Sequence, residues 1–60
     1  MTVKDLYVHG NTMQSIILRD AFDNQIYWSG RFKDFPYEYA WRFVSRVTAS
    51  GNKLIIETYD

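Results

Sequence analysis

The chain alternates short apolar stretches with polar turn residues, and only the first stretch carries a helical signature. Thr2-Val3-Lys4-Asp5 has the form of a capping box, in which the threonine hydroxyl accepts from the Asp5 amide and the aspartate accepts from the Thr2 amide. Val3, Leu6 and Tyr7 follow at helical spacing, and Gly10 is placed to end the helix in a left-handed conformation. A strand through Val3, Tyr7 and Val8 competes with this, because valine and tyrosine favour sheets. Stop signals at both ends favour a helix over residues 2–9.

The later stretches read as strands. Gln14 to Asp20 contains Ile16, Ile17 and Leu18 and is too short for a helix of its own. Asp23-Asn24 supplies a hairpin turn, since both residues tolerate positive φ. The return strand runs from Gln25 to Arg31, with Ile26 and Trp28 on one face and Tyr27, Ser29 and Arg31 on the other. Gly30 inside it marks a bulge or a close backbone approach. Pro36 is barred from a central strand but suits the start of a short helical turn, with Asp34 placed to cap it. Trp41 to Ala49 alternates as a third strand, Ser50-Gly51-Asn52 turns, and Lys53 to Tyr59 forms the fourth.

The fold class expected is α+β, in one domain spanning residues 1–60. A short N-terminal helix covers one face of a four-stranded antiparallel sheet, made of two hairpins joined by a proline-containing turn. Its expected core is Leu6, Ile16, Leu18, Ile26, Trp28, Trp41, Phe43, Val47, Leu54 and Ile56.

Composition sharpens this picture. Eight of the eleven aromatic residues lie between Tyr27 and Phe43, more than one small core easily encloses, so some rings are expected on the surface. Sixty residues bury a modest share of their surface, which makes stability marginal. There is no cysteine, so disulfides and thiolate zinc sites are excluded, and one histidine makes no metal cluster. No cofactor or metal is expected. Net charge is zero, which argues against a dedicated nucleic-acid binder. No apolar run reaches the length of a membrane helix and no signal-peptide core is visible, so the expectation is a soluble, cytoplasmic protein.

The succession Thr2-Val3-Lys4-Asp5-Leu6, Asp23-Asn24, Gly30-Arg31, Lys33-Asp34-Phe35-Pro36 and Leu54-Ile55-Ile56-Glu57 resembles that of a family of small uncharacterised proteins. Bacterial prophages and other mobile elements carry them. The resemblance covers most of the chain, through generic capping and hairpin residues. The chain departs from the pattern at His9-Gly10-Asn11-Thr12, where an acidic stretch is more common, and in its heavier aromatic load after Gly30. The resemblance implies a mobile-element origin and transfers no functional residue. Mobile elements encode many small proteins that bind and disable host defence machinery, including CRISPR nucleases.

Candidate chemistry is sparse. His9 and Asp5, four residues apart, could share a helix face as an acid–base pair, but no nucleophile joins them, and a helix-end histidine is the simpler reading. The three glycines stand alone, so there is no phosphate loop, and no enzyme is expected. Strict alternation places Arg19, Tyr27, Arg31, Arg42, Arg46 and Tyr59 together on an outward sheet face. Arginine and tyrosine are enriched at protein interfaces, and the same mixture can stack bases and neutralise phosphates. The bland alternative is a solvated face whose arginines pair with Asp20 and Glu57. Phe22 at a turn, and Tyr37 and Tyr39 beside the proline, are further candidates for exposed binding rings. The expected function is non-enzymatic binding of a protein partner through Phe22, Tyr27, Arg31, Tyr37, Tyr39, Arg42 and Arg46. Such a protein would inhibit or modulate a larger host protein such as a defence nuclease. A nucleic-acid-binding sheet and a small self-associating structural protein are the alternatives.

Overall fold

The computed structural model describes all residues 1–60. A helix α1 (Val3–His9) is followed by strands β1 (Ser15–Asp20) and β2 (Ile26–Arg31), two 3-10 turns (Phe32–Asp34 and Tyr37–Tyr39), and strands β3 (Phe43–Ser50) and β4 (Lys53–Tyr59). The helix begins as its sequence dictates. Asp5 N–H donates to the Thr2 hydroxyl, and the Asp5 carboxylate accepts from Thr2 N–H at 2.9 Å. The next free helix amides are taken by the chain ahead of β3: Val3 N–H donates to the Arg42 carbonyl and Lys4 N–H to the Ala40 carbonyl. Capping therefore also docks the helix. Gly10 is extended (φ −102°) rather than left-handed, and a Cβ there would stand 2.7 Å from the Leu6 carbonyl oxygen. The glycine is required by that close approach, not by its dihedral.

The four strands form one sheet in the order β2-β1-β4-β3. Each hairpin is antiparallel, but the two hairpins meet through β1 and β4, which run parallel with Ile16 beside Leu54 and Leu18 beside Ile56. The sheet is thus mixed, not antiparallel throughout. The physical reason lies in the two strands that meet. Ile16-Ile17-Leu18 and Leu54-Ile55-Ile56 are the only runs of three aliphatic residues in the chain, and a central strand has a neighbour on each side to pack such side chains against. That leaves β2 and β3 as edges, with the start of β3 covered by the N-terminus, where Val44 N–H donates to the Met1 carbonyl.

The core lies between the sheet and α1. Val3, Ile16, Leu18, Phe32 and Ile56 are buried, ringed by Leu6, Tyr7, Tyr27, Trp28, Phe35, Tyr39, Val44 and Leu54. Tyr7, Phe32 and Phe35 make a three-ring cluster with centroids 5.3–5.6 Å apart. Gly30 (φ +154°) lies under the Trp28 indole, where a Cβ would come within 2.9 Å of the ring. The first 3-10 turn is preceded by Arg31 and the second by Pro36, and neither carries a side-chain cap, so Asp34 does not play the capping role.

Four residues of the expected core are instead exposed: Ile26, Trp41, Phe43 and Val47. Two β-bulges explain two of them. In β2 the register slips between Leu18 and Arg19, so Trp28 faces the helix beside Leu18 while Ile26 pairs with Arg19 on the opposite face. In β3 the slip between Val44 and Arg46 separates Phe43 from Val47 in the same way. Val47 keeps its helix-side orientation, opposite Ile56, but lies on an edge strand beyond the helix's cover. Trp41 precedes β3, which begins at Phe43 and not at Trp41.

Candidate functional site

The face of the sheet away from α1 is covered by no other element. Register assigns its residues in rows across β2, β1, β4 and β3. One row is Ile26, Arg19, Glu57 and Arg46; the next is Ser29, Ile17, Ile55 and Thr48; the last is Arg31, Ser15, Lys53 and Ser50. Beyond the first row, Phe43 and Tyr59 pair with centroids 5.6 Å apart, and Phe22 meets Tyr59 edge-on at 6.4 Å. The face therefore runs from an aromatic end, through an ionic row and an aliphatic row, to a basic end.

Charge on this face is one-sided although the protein is neutral. Arg19, Arg31, Arg46 and Lys53 stand against Glu57 alone, and Glu57 is already engaged by Arg19 at 2.7 Å. The Nε–H of Arg19 is covered and has no acceptor. Arg31, Arg46 and Lys53 have no carboxylate within ion-pair distance, the only such pairs being those of Arg19 and Arg42. Phe22 and Phe43 are 83% and 46% exposed and both pack on Tyr59, so these rings form an apolar patch; Ile26, 59% exposed, stands apart from it on β2.

Arg42 and Tyr27 do not belong to this face. Tyr27 is the extra residue of the β2 bulge and turns toward the helix side, and Arg42 lies before β3. There the Arg42 guanidinium stacks on the Tyr27 ring at 4.4 Å and donates to Thr58 Oγ1, Asp60 Oδ1, the Tyr27 hydroxyl and Asp20 Oδ2. Tyr27 donates to Asp20 at 2.7 Å, and Tyr39 packs against the Tyr27 ring. The Tyr27 hydroxyl, then the Phe22 and Asp23 amides, hold the Asp20 carboxyl below its ordinary value of 3.8, with Arg42 adding to them. The same hydrogen bond raises the Tyr27 phenol above 10.0. This network ties both hairpins and the C-terminus together and is an internal brace.

Of the seven residues expected to bind a partner, Phe22, Arg31 and Arg46 belong to the open face. Tyr27, Tyr39 and Arg42 form or flank the brace, and Tyr37 lies on the helix side, 65% exposed and edge-on to Trp41. Tyr59 and Arg19 belong to the face as expected, and it also contains Ile17, Ile26 and Ile55, which are not among the expected binding residues. The signal for Ile17 and Ile55 is in the sequence: in a strand without a bulge, the middle of three successive apolar residues faces away from the other two. Asp5 is bonded to Thr2 and makes no ion pair with His9; Thr2 N–H is the main reason its carboxyl sits below the usual range. No three His, Asp or Glu side chains converge as metal ligands, and no helix is long and apolar enough to cross a membrane.

Comparison with known proteins gives no match: no protein-family model fits the chain, and neither a curated protein nor a solved structure resembles it significantly.

Proposed function

We propose that this is a non-enzymatic protein-binding module whose open sheet face docks on an acidic surface of a larger protein. The observation that carries this reading is the imbalance of the face: three unpaired cations around an aliphatic row and an exposed aromatic end, with its one carboxylate already engaged. Desolvating such a face is favourable only against a surface that supplies both apolar area and negative charge. The molecule's two longer extents, 26 and 24 Å, bound the face. The face's flat projection is therefore about 600 Å², near the lower limit of specific interfaces. Inhibition or modulation of a larger host protein, a defence nuclease among them, is the role such a module would serve, and a mobile-element origin is its proposed setting.

Nucleic acid is the second reading, supported by the same cations and rings. Against it, the rings pack on one another instead of standing apart as platforms for successive bases. Face-to-face self-association would oppose like charges and is disfavoured for that reason.

The test is quantitative affinity selection from host lysate, with nuclease treatment, using the wild-type chain and the Arg31→Glu/Arg46→Glu variant. An acid-rich protein retained by the first and lost by the second supports the reading. Nucleic acid as the retained species, or identical protein profiles for both chains, refutes it.

A further inference from the structure

On the opposite, helix side of the molecule lies a half-open cleft of about 310 Å³, lined by Lys4, Tyr7, Val8, Lys33, Phe35 and Tyr37. Three of these come from α1 at positions i, i+3 and i+4, the spacing that puts side chains on one helix face. The other three come from the first 3-10 turn and the residues around Pro36. Packing of Tyr7 against Phe35 at 5.3 Å makes a fixed aromatic wall. Tyr37 continues the apolar surface to Trp41 through an edge-on contact at 6.0 Å.

The charged side chains that line this cleft, Lys4 and Lys33, share one sign. Neither Lys4 nor Lys33 is paired with a carboxylate. The nearest acid in sequence to Lys4 is Asp5, whose carboxylate is occupied by the Thr2 N–H and hydroxyl. Lys4 Nζ instead stands over the Trp41 ring at 4.8 Å, which positions the ammonium without neutralising it. Two uncompensated ammonium groups beside apolar, largely aromatic walls define a preference for an anion carried on an apolar body. A bare phosphate would leave the walls unfilled, and a neutral hydrocarbon would leave the ammonium groups unused.

Volume narrows the class. An enclosed cavity of about 150 Å³ takes benzene, so a cleft twice that size has room for a bicyclic ring. It also falls at the lower end of the range typical of small-molecule sites. We propose that this cleft is a second site, separate from the open sheet face, that binds a small aromatic carboxylate of bicyclic size. The ring packs between Tyr7, Phe35 and Tyr37, and the carboxylate accepts from Lys4 and Lys33.

The probe is indole-3-acetate, titrated into ¹⁵N-labelled protein, with neutral indole-3-acetamide as its control. Saturable shifts are expected at the amides of Lys4, Tyr7, Val8, Lys33, Phe35 and Tyr37. The expected dissociation constant is about 1 mM, the scale ordinary ligand efficiency gives for about thirteen heavy atoms. The amide should bind about fivefold more weakly, the contribution of two solvent-exposed ion pairs. Lys4→Met and Lys33→Met should each reduce that preference while leaving the spectrum of the unliganded fold intact, and Tyr37→Ser should weaken both ligands. The proposal is overturned by non-saturating shifts, by equal affinity for acid and amide, or by shifts centred on Ile17, Ile55 and Phe43. It is also overturned if an acidic tryptophan-containing peptide binds more tightly with shifts spreading beyond the cleft, because the groove would then serve peptides.

Discussion

Thr58 is a fully buried polar residue, and its environment shows how a single hydroxyl joins distant parts of the chain. It accepts from Arg42 Nε at 2.9 Å and donates to the Arg19 carbonyl at 3.2 Å. Thr58→Val keeps the shape but strands a donor of Arg42, so a loss of about 1–3 kcal/mol is expected in urea unfolding. Stability unchanged by that substitution would mean the brace contributes nothing. The same network sets the acid limb of stability. Asp20 titrates below its ordinary 3.8 in the folded state because Tyr27 and two amides bond its charged form. Its contribution is therefore present above pH 3.8 and is lost as pH falls through the lower, folded value. Tyr27 acts with the opposite sign: its raised phenol contributes below pH 10.0, and that is lost as pH climbs past its folded value. Thermal midpoints between pH 6 and pH 2 should fall less steeply for Asp20→Asn than for the wild type, and equal slopes would contradict this. Gly30→Ala meets both positive φ and the Trp28 ring, so a loss of about 1–3 kcal/mol is expected from the same unfolding measurement.

Among the elements, what the sequence displays clearly is what depends on neighbours along the chain. The capping box at Thr2 and Asp5 is local chemistry, and it forms as the residues indicate. Asn24 (φ 62°) and Gly51 (φ 61°) mark the two hairpin turns, again from local preference. Strand pairing is another matter. Two hairpins can join through any of their four strands, and only the tertiary competition for burial puts β1 beside β4. The aliphatic runs Ile16-Ile17-Leu18 and Leu54-Ile55-Ile56 do carry that information, because flanking strands leave Ile17 and Ile55 half-buried even on the open face, where Ile26 and Phe43 on the edge strands are exposed. Bulges are harder to see. Nothing in Ile26-Tyr27-Trp28 or Val44-Ser45-Arg46 breaks the alternation, yet each holds an extra residue, and Tyr27, Ile26 and Phe43 change faces as a result. Arg42 leaves the outward face for a related reason: β3 starts at Phe43, two residues after the expected start at Trp41, so Arg42 lies before the strand. Hydrogen exchange tests the order directly: amides of β1 and β4 should be the slowest, as central strands. If they exchange faster than those of β2 and β3, the parallel pair is wrong. Thr2→Ala, which removes the cap, should cost about 1 kcal/mol.

For the whole molecule, stability and binding divide between the two sides of one sheet. The helix side holds the small core, and Leu18→Ala should lose about 2–5 kcal/mol, enough to threaten a domain this size. The open side can be altered at Arg31, Arg46 and Thr48 without touching that core, because all three are exposed. The aromatic density of the middle of the chain is shared in the same way: Phe32 is buried, Phe35 and Tyr39 are half-buried, and Tyr37, Trp41 and Phe43 are exposed. Composition foretold that some rings would remain outside; which ones depended on bulges and strand ends. The most direct measurement of the open face's role is photo-crosslinking in the native host, with a photoreactive residue placed at Thr48 on that face or at Glu38 on the helix side. A discrete protein adduct from position 48, diminished by Arg46→Glu and absent from position 38, is the expected result. An adduct from position 38 with none from position 48 would place binding on the other side of the molecule.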